Sequence, residues 1–370
     1  MIADSALRRG IPAAVAMTAS SDRVLYEVAC GQAGLDTIFR VFSMTKPVTS
    51  VAALQLVERG LLDLDEPAAK HLPALGSLQV LRGFHPHTGE PILSPARTPV
   101  TARHLLTHTS GFGYEFTSPA LHRYGAIAGQ GTMRAVRKGE LDCPLLFEPG
   151  TEWLYGISTD WLGRLVEAVS GLSLADYFDA HILQPLGMTD TGFSLPPEKH
   201  PRVAMNYQRL PDGSLEAAPL PPPKLPTTFS GGGGLLSTAA DYVRFMQMIL
   251  RRGRLGDRQI LHPESVALMA SNQIGAFTAG RLQSTMPEFA MPADFHPGHD
   301  DKFGFGFLIN PVAYSGGRSA GSLAWAGSAN TYFWIDPARD LCAVLLMQFS
   351  PFFDPQAVGL LRDFEQAVYR

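Results

Sequence analysis

What most limits the fold open to this chain is where its two kinds of pattern fall: strand-like runs sit at both ends and helical segments fill the middle. Ile11 to Ser20 and Arg23 to Gly31 are rich in β-branched and apolar residues and are joined by polar Ser20-Ser21-Asp22, a hairpin signature. Strand-like runs return at Phe303 to Ile309, Ser322 to Trp325, Thr331 to Ile335 and Leu341 to Phe349, followed by a helical stretch from Pro355 to Tyr369. Strands at both termini sharing one sheet oblige the chain between them to leave and return. The expected class is therefore α+β, an α/β sandwich. Its antiparallel sheet is built from both termini and flanked by helices (residues 1–62 and 228–370), and residues 63–227 form a mostly helical lobe. A cleft between the lobes is the default site.

The first helix after the hairpin is expected from about Ser43 to Arg59, with Gly60 as its stop. Pro47 fits in its first turn, where a missing N–H has no intrahelical partner. This helix opens with Ser43-Met44-Thr45-Lys46. Residues three apart share a helix face, so the Lys46 amine can reach the Ser43 hydroxyl and take its proton. None of the other lysines (Lys70, Lys138, Lys199, Lys224, Lys302) has a serine three residues before it, so the tetrad occurs once. Such a pair also needs a proton route to the leaving group and donors for the oxyanion. Tyr155 is a candidate relay, since nearby positive charge favours a phenolate.

Other functions are excluded by what the chain lacks. At 370 residues, with 45% hydrophobic and 17% charged residues and a net charge of −4, it reads as an ordinary soluble globular protein without the positive clusters that nucleic acid or an anionic membrane requires. No run approaches the ~20 apolar residues of a membrane span. Met1-Ile2-Ala3-Asp4-Ser5 does not begin a signal peptide, and the odd, scattered Cys30, Cys143 and Cys342 suit free thiols, so the expected compartment is cytoplasmic.

Several motifs invite other readings. Gly317-Arg318-Ser319-Ala320-Gly321 has the form of a nucleophile elbow, but no histidine follows it and a strand-like run comes next, so it reads as a turn. Gly231-Gly232-Gly233-Gly234 lacks the Gly-Lys-Ser/Thr ending of a phosphate loop. His85-Pro86-His87 and His296 with His299 lack convergent ligands, so no metal is expected. Gly83 to Pro99 and Asp212 to Pro226 read as irregular loops, the second with a stiff Pro219–Pro223 run, and Gly83 to Pro99 and Ala276 to Asp301 as loops shaping the entrance.

Four segments in order carry a resemblance: Ser43-Met44-Thr45-Lys46; Leu105-Leu106-Thr107-His108-Thr109-Ser110-Gly111; Tyr155-Gly156-Ile157 before Leu162-Gly163-Arg164; and Trp325-Ala326-Gly327 before Tyr332-Phe333-Trp334-Ile335-Asp336-Pro337. Over residues 10 to 369 the chain resembles the serine β-lactamase and penicillin-binding-protein-like hydrolases, and within them the family VIII carboxylesterases, which are similar to class C β-lactamases. The resemblance implies the β-lactamase/transpeptidase-like fold, no cofactor, and a small ester as substrate. It implies Ser43 as the acylated nucleophile, Lys46 and Tyr155 as its acid/base partners, and an oxyanion hole from the backbone N–H groups of Ser43 and Ser328. Class C lactamases have Asn where this chain has Ile157 and Lys where it has Trp325. The two apolar replacements, with Gly327, imply a site for neutral esters rather than anionic β-lactams. Phe112 and Tyr114 are candidates for the acyl pocket, and His108 for fixing its turn. The alternatives are a β-lactamase, a D-amino-acid peptidase or amidase, or an acyltransferase using the same groups, and a non-catalytic binding module.

Overall fold

The computed structural model describes residues 2–129, 131–132, 143–221 and 226–370. Its frame is one antiparallel sheet of seven strands: β1 (Ala13–Ala19), β2 (Val24–Gly31), β3 (Lys302–Phe303), β4 (Leu308–Ile309), β5 (Leu323–Gly327), β6 (Thr331–Asp336) and β7 (Leu341–Leu346). Their order across the sheet is β3-β4-β5-β6-β7-β1-β2. The two ends of the chain meet at β1 and β7, in register from Val15 opposite Leu346 to Ala19 opposite Cys342. Among the described residues, no strand between 63 and 227 joins this sheet. The class is α+β.

The helices that frame the sheet and the site are α1 (Ile2–Arg8), α2 (Thr45–Glu58), α3 (Ala102–Thr107), α4 (Ser158–Ser170), α5 (Ala239–Leu250) and α6 (Pro355–Val368). Every residue of β1 is buried, and α5 packs on both β1 and β7. The alanines at 13, 14, 16 and 19 keep that strand thin, so helix and sheet can approach closely. At the opposite face α1 lies on α6, tied by Ser5 and Arg9 to Asp363. Helix α2 is buried at every position from Thr45 to Leu56 and packs against α4.

The structure departs from the sequence reading in four places. Gly83–Pro99 contains strand Pro91–Pro95, paired with Gln79–Phe84 in a hairpin whose prolines lie at the strand ends, where no ladder is broken. Leu215–Ala217 in the other supposed loop pairs with Tyr207–Arg209, while Pro222 and Pro223 of the proline run lie outside the described residues. Phe303 to Ile309 is not one strand. A Cβ on Gly304 would lie 2.0 Å from the Met269 carbonyl, and Gly306, at φ +94°, lies against Pro47 and Ser50 of α2. The bend drives Phe305 and Phe307 into the core. The run from Leu341 likewise stops at Leu346, and Phe349–Ser350 pairs instead with Tyr207–Gln208.

Candidate active site

Phe42–Met44 forms a single 3-10 turn, after which α2 begins at Thr45. Ser43 thus stands one turn ahead of the α-helix proper and remains partly accessible. Phe42, directly before it, has φ +43°, a left-handed conformation that costs a non-glycine residue about 1–2 kcal/mol. Thr45 offsets this: its hydroxyl donates to the Phe42 carbonyl at 2.6 Å and accepts from Leu235 N–H at 3.1 Å. The strained turn is held from both sides, with Ser43 at its apex.

Two groups converge on the serine. Tyr155 Oη donates to Ser43 Oγ at 2.6 Å, and Lys46 Nζ donates to the same oxygen at 3.2 Å. Lys46 is 1% exposed, and its remaining hydrogen bonds go to the Gly232 carbonyl at 2.7 Å and to Tyr114 Oη at 3.3 Å. Burial, followed by the Asp160 charge, holds the Tyr114 hydroxyl well above the ordinary phenol range, so it stays protonated. With both Tyr155 and Lys46 donating, Ser43 Oγ has no base, and one of the two must lose a proton before the serine can give up its own.

The glycine run supplies close backbone approach. A Cβ on Gly231 would lie 2.6 Å from the Thr159 carbonyl, and the Gly231 carbonyl accepts from Thr49 Oγ1 at 2.7 Å. The run is wedged between α2 and α4, which presents the Gly232 carbonyl to Lys46. At the end of β5, a Cβ on Gly327 would lie 2.3 Å from the Val41 carbonyl. Only glycine lets β5 press on the residue before the strained turn, and this places Ser328 on the cavity that Ser43 lines.

His108 backs the tyrosine. It is the left-handed cap of α3, at φ +58°, and its ring lies 5.1 Å from that of Tyr155. Nδ1 accepts from Gly156 N–H at 3.4 Å, which leaves Nε2–H facing Thr159 Oγ1 at 3.4 Å. Burial, then the Lys46 charge, pushes its pKa well below the ordinary 6.5. Folded His108 is therefore neutral where the unfolded chain protonates. The stability it contributes is complete above about pH 6.5 and is lost as pH falls below that, by at most about 1.4 kcal/mol per pH unit. His108→Gln is expected to be less stable than the native chain at pH 8, with the difference narrowing toward pH 5 in urea unfolding. A difference independent of pH would contradict the neutral assignment.

The cavity over Ser43 is lined by Phe116, Tyr155, Leu282, Ala290, Phe295, Trp325 and Phe352 together with Gly327 and Ser328. Its volume of about 30 Å³ is far below the roughly 300–1,000 Å³ of a site for a drug-sized ligand. Trp325 stacks on Phe295 at 5.4 Å and meets Tyr155 at 4.9 Å. A larger open cavity, about 450 Å³ around Gln55, Arg59 and His181, lies at the far end of α2 and holds no nucleophile.

The sequence-predicted residues divide accordingly. Ser43, Lys46 and Tyr155 come together, and Ser328, Gly327 and Trp325 line the cavity. Phe112 does not line it: it is fully buried, stacked on Trp161 at 5.7 Å, with its carbonyl against Gly156. Ile157 is fully buried at the start of α4 and also does not line it. Tyr114 turns to Lys46 instead of the acyl space, and Phe116, two residues on and stacked against it at 4.9 Å, takes the wall position. Phe116 had no distinguishing signal in the sequence. Leu282, Ala290 and Phe295 come from Ala276–Asp301, which is not all loop, since Arg281–Leu282 pairs antiparallel with Ala293–Asp294; no residue of Gly83–Pro99 lines the cavity. Ser319 lies in a turn held by Asp336, which accepts from its N–H at 2.9 Å, and by the buried Arg318–Glu365 ion pair beside it. His296 is buried against Asp301. Among the described residues no group of three or more His, Cys, Asp or Glu is placed to hold a metal, and no helix is long and apolar enough to cross a membrane.

A buried amine and a phenol on one serine, next to a strained residue and beside an apolar cavity, are the groups of a serine acyl-transfer site. The Beta-lactamase family model matches residues 2–367, and the chain belongs to that family. Monacolin J acid methylbutanoyltransferase from Aspergillus terreus is 35% identical over 353 residues, covering 90% of this chain and 82% of its own length. Lovastatin esterase from Penicillium rubens is 30% identical, over 91% of this chain and 86% of its own. The structure of the simvastatin synthase LovD from Aspergillus terreus, LovD6 mutant, superposes with a TM-score of 0.84 at 32% identity, covering 100% of this chain and 92% of that one. The fold is β-lactamase-like, and the chain is a serine hydrolase or acyltransferase of that superfamily.

Proposed function

We propose that the chain is a serine carboxylesterase acting on small, mainly short-chain acyl esters through an acyl-enzyme on Ser43. The observation that carries this reading is the convergence of Lys46 Nζ and Tyr155 Oη on Ser43 Oγ at the edge of a narrow cavity walled by Trp325. A cavity of that size favours a short acyl chain, and an indole offers no charge to a β-lactam carboxylate. In acylation Ser43 Oγ bonds to the ester carbonyl carbon as its proton passes to the deprotonated member of the Lys46–Tyr155 pair. The carbonyl oxygen takes up the negative charge facing the Ser43 and Ser328 N–H groups. The C–O bond to the alcohol then breaks, with Tyr155 returning a proton to the departing oxygen. Deacylation repeats these steps with water as nucleophile.

A second reading is supported by the methylbutanoyltransferase at 35% identity: an alcohol, not water, takes the acyl group from Ser43. The two readings share every step up to deacylation and differ only in the acceptor. Turnover of a chromogenic butyrate ester, with and without an added alcohol, separates them by product analysis. The esterase reading expects free acid as the main product at millimolar alcohol, and slow turnover of a cephalosporin. Near-complete capture by the alcohol would establish the second reading, and cephalosporin turnover equal to that of the ester would refute both.

A further inference from the structure

All three hydrogen bonds of the buried Lys46 ammonium go to uncharged oxygens, those of Ser43, Tyr114 and Gly232. A buried charge without a counter-charge is costly by several kcal/mol. The candidate for that counter-charge is Asp160, in the first turn of α4 and 3% exposed. Asp160 Oδ1 accepts from Ser230 Oγ at 2.6 Å and from Gly232 N–H at 3.0 Å. Its other oxygen, Oδ2, is buried, and the carboxylate also acts on the Tyr114 hydroxyl. A Cβ on Gly232 would lie 2.4 Å from Oδ2, so the carboxylate rests directly on the residue whose carbonyl receives Lys46. A single glycine thus separates a buried carboxylate from the buried ammonium.

We infer that Asp160 is a positioning residue for Lys46: it fixes Gly232 so that its carbonyl meets the ammonium, and it supplies the negative charge that balances Lys46 across that glycine. Asp160 touches neither Ser43 nor the cavity and acts only through Lys46 and Tyr114. The other ionisable groups facing the pair are Tyr155, Tyr114 and His108, with Glu115 acting on Tyr114. Of these, His108 is neutral and Tyr114 stays protonated, which leaves Asp160 as the buried negative charge among them. Without that charge nothing balances the buried ammonium across Gly232.

This inference rests on the proposed chemistry at Ser43 and Lys46. Asp160→Asn keeps the acceptor for Ser230 and Gly232 and removes only the charge. Its kcat/KM for a butyrate ester is expected to keep its shape against pH, with the acid limb moved about one unit lower and the plateau lowered about tenfold. A role confined to holding the glycine loop would change stability and leave that limb in place, so a folded Asp160→Asn enzyme with an unmoved limb overturns the inference. Should Asp160→Asn not fold, Asp160→Ser, smaller and still an acceptor, is measured by the same criterion. Fluorophosphonate labelling of the native enzyme distinguishes the two levels of failure. No adduct on Ser43 removes the proposed chemistry itself, whereas an adduct on Ser43 with an unmoved limb removes Asp160 alone.

Discussion

Ser43→Ala is expected to lower kcat/KM for a short-chain ester by at least about 10⁴-fold while leaving the fold intact. Covalent catalysis has no substitute oxygen here: Ser43 Oγ is the atom on which both Tyr155 and Lys46 converge. The rival, Ser319, has its N–H on Asp336 and sits beside the buried Arg318–Glu365 pair, so Ser319→Ala is expected to leave the rate within about twofold. Truncating Ser43 removes an acceptor from two donors that face each other, with Lys46 Nζ 4.7 Å from the Tyr155 ring centroid. The change in unfolding midpoint should therefore be small, the usual result for substitutions outside a packed core. Retention of more than a few per cent of native activity in Ser43→Ala would end the acyl-enzyme account.

Lys46→Met is expected to cost at least about 10³-fold in kcat, within the range assigned to acid/base groups, and to lower stability as well. The apolar chain escapes the desolvation of a buried ammonium, but it leaves the Gly232 carbonyl and the Tyr114 hydroxyl without their donor and the buried Asp160 carboxylate without its balancing charge. Steady-state kinetics and a thermal melt on one preparation check both halves. A folded variant that keeps its activity would show that Lys46 is held for structure and not for proton transfer.

The parts of this site legible in the sequence were those set by local geometry. Ser43 and Lys46 share a helix face because of their spacing alone, and the strands at both ends of the chain pointed to a sheet closed by the termini, as β1 and β7 do. Tyr155 lies 112 residues from Ser43 in the chain; its chemistry made it a candidate, and the ordered resemblance of four segments gave it a role. Tertiary approach decided the remainder. Nothing in Phe112-Gly113-Tyr114-Glu115-Phe116 indicated which aromatic would meet Trp161, which Lys46 and which the cavity. The four-glycine run could be freed of a phosphate role by its missing lysine, but its actual use, with backbone laid between α2 and α4, appears only once those helices are packed. Asp160 gave no signal because its importance depends on a residue 72 positions away.

The central claim is that Ser43 is the acylated nucleophile, and the most direct measurement is the mass of the enzyme after treatment with a fluorophosphonate, followed by peptide mapping. The account predicts one adduct per chain, on Ser43, formed in the native protein, lost on prior unfolding, and strongly reduced in Lys46→Met. An adduct on Ser319 or another serine, or no adduct under conditions in which the ester is turned over, would contradict it.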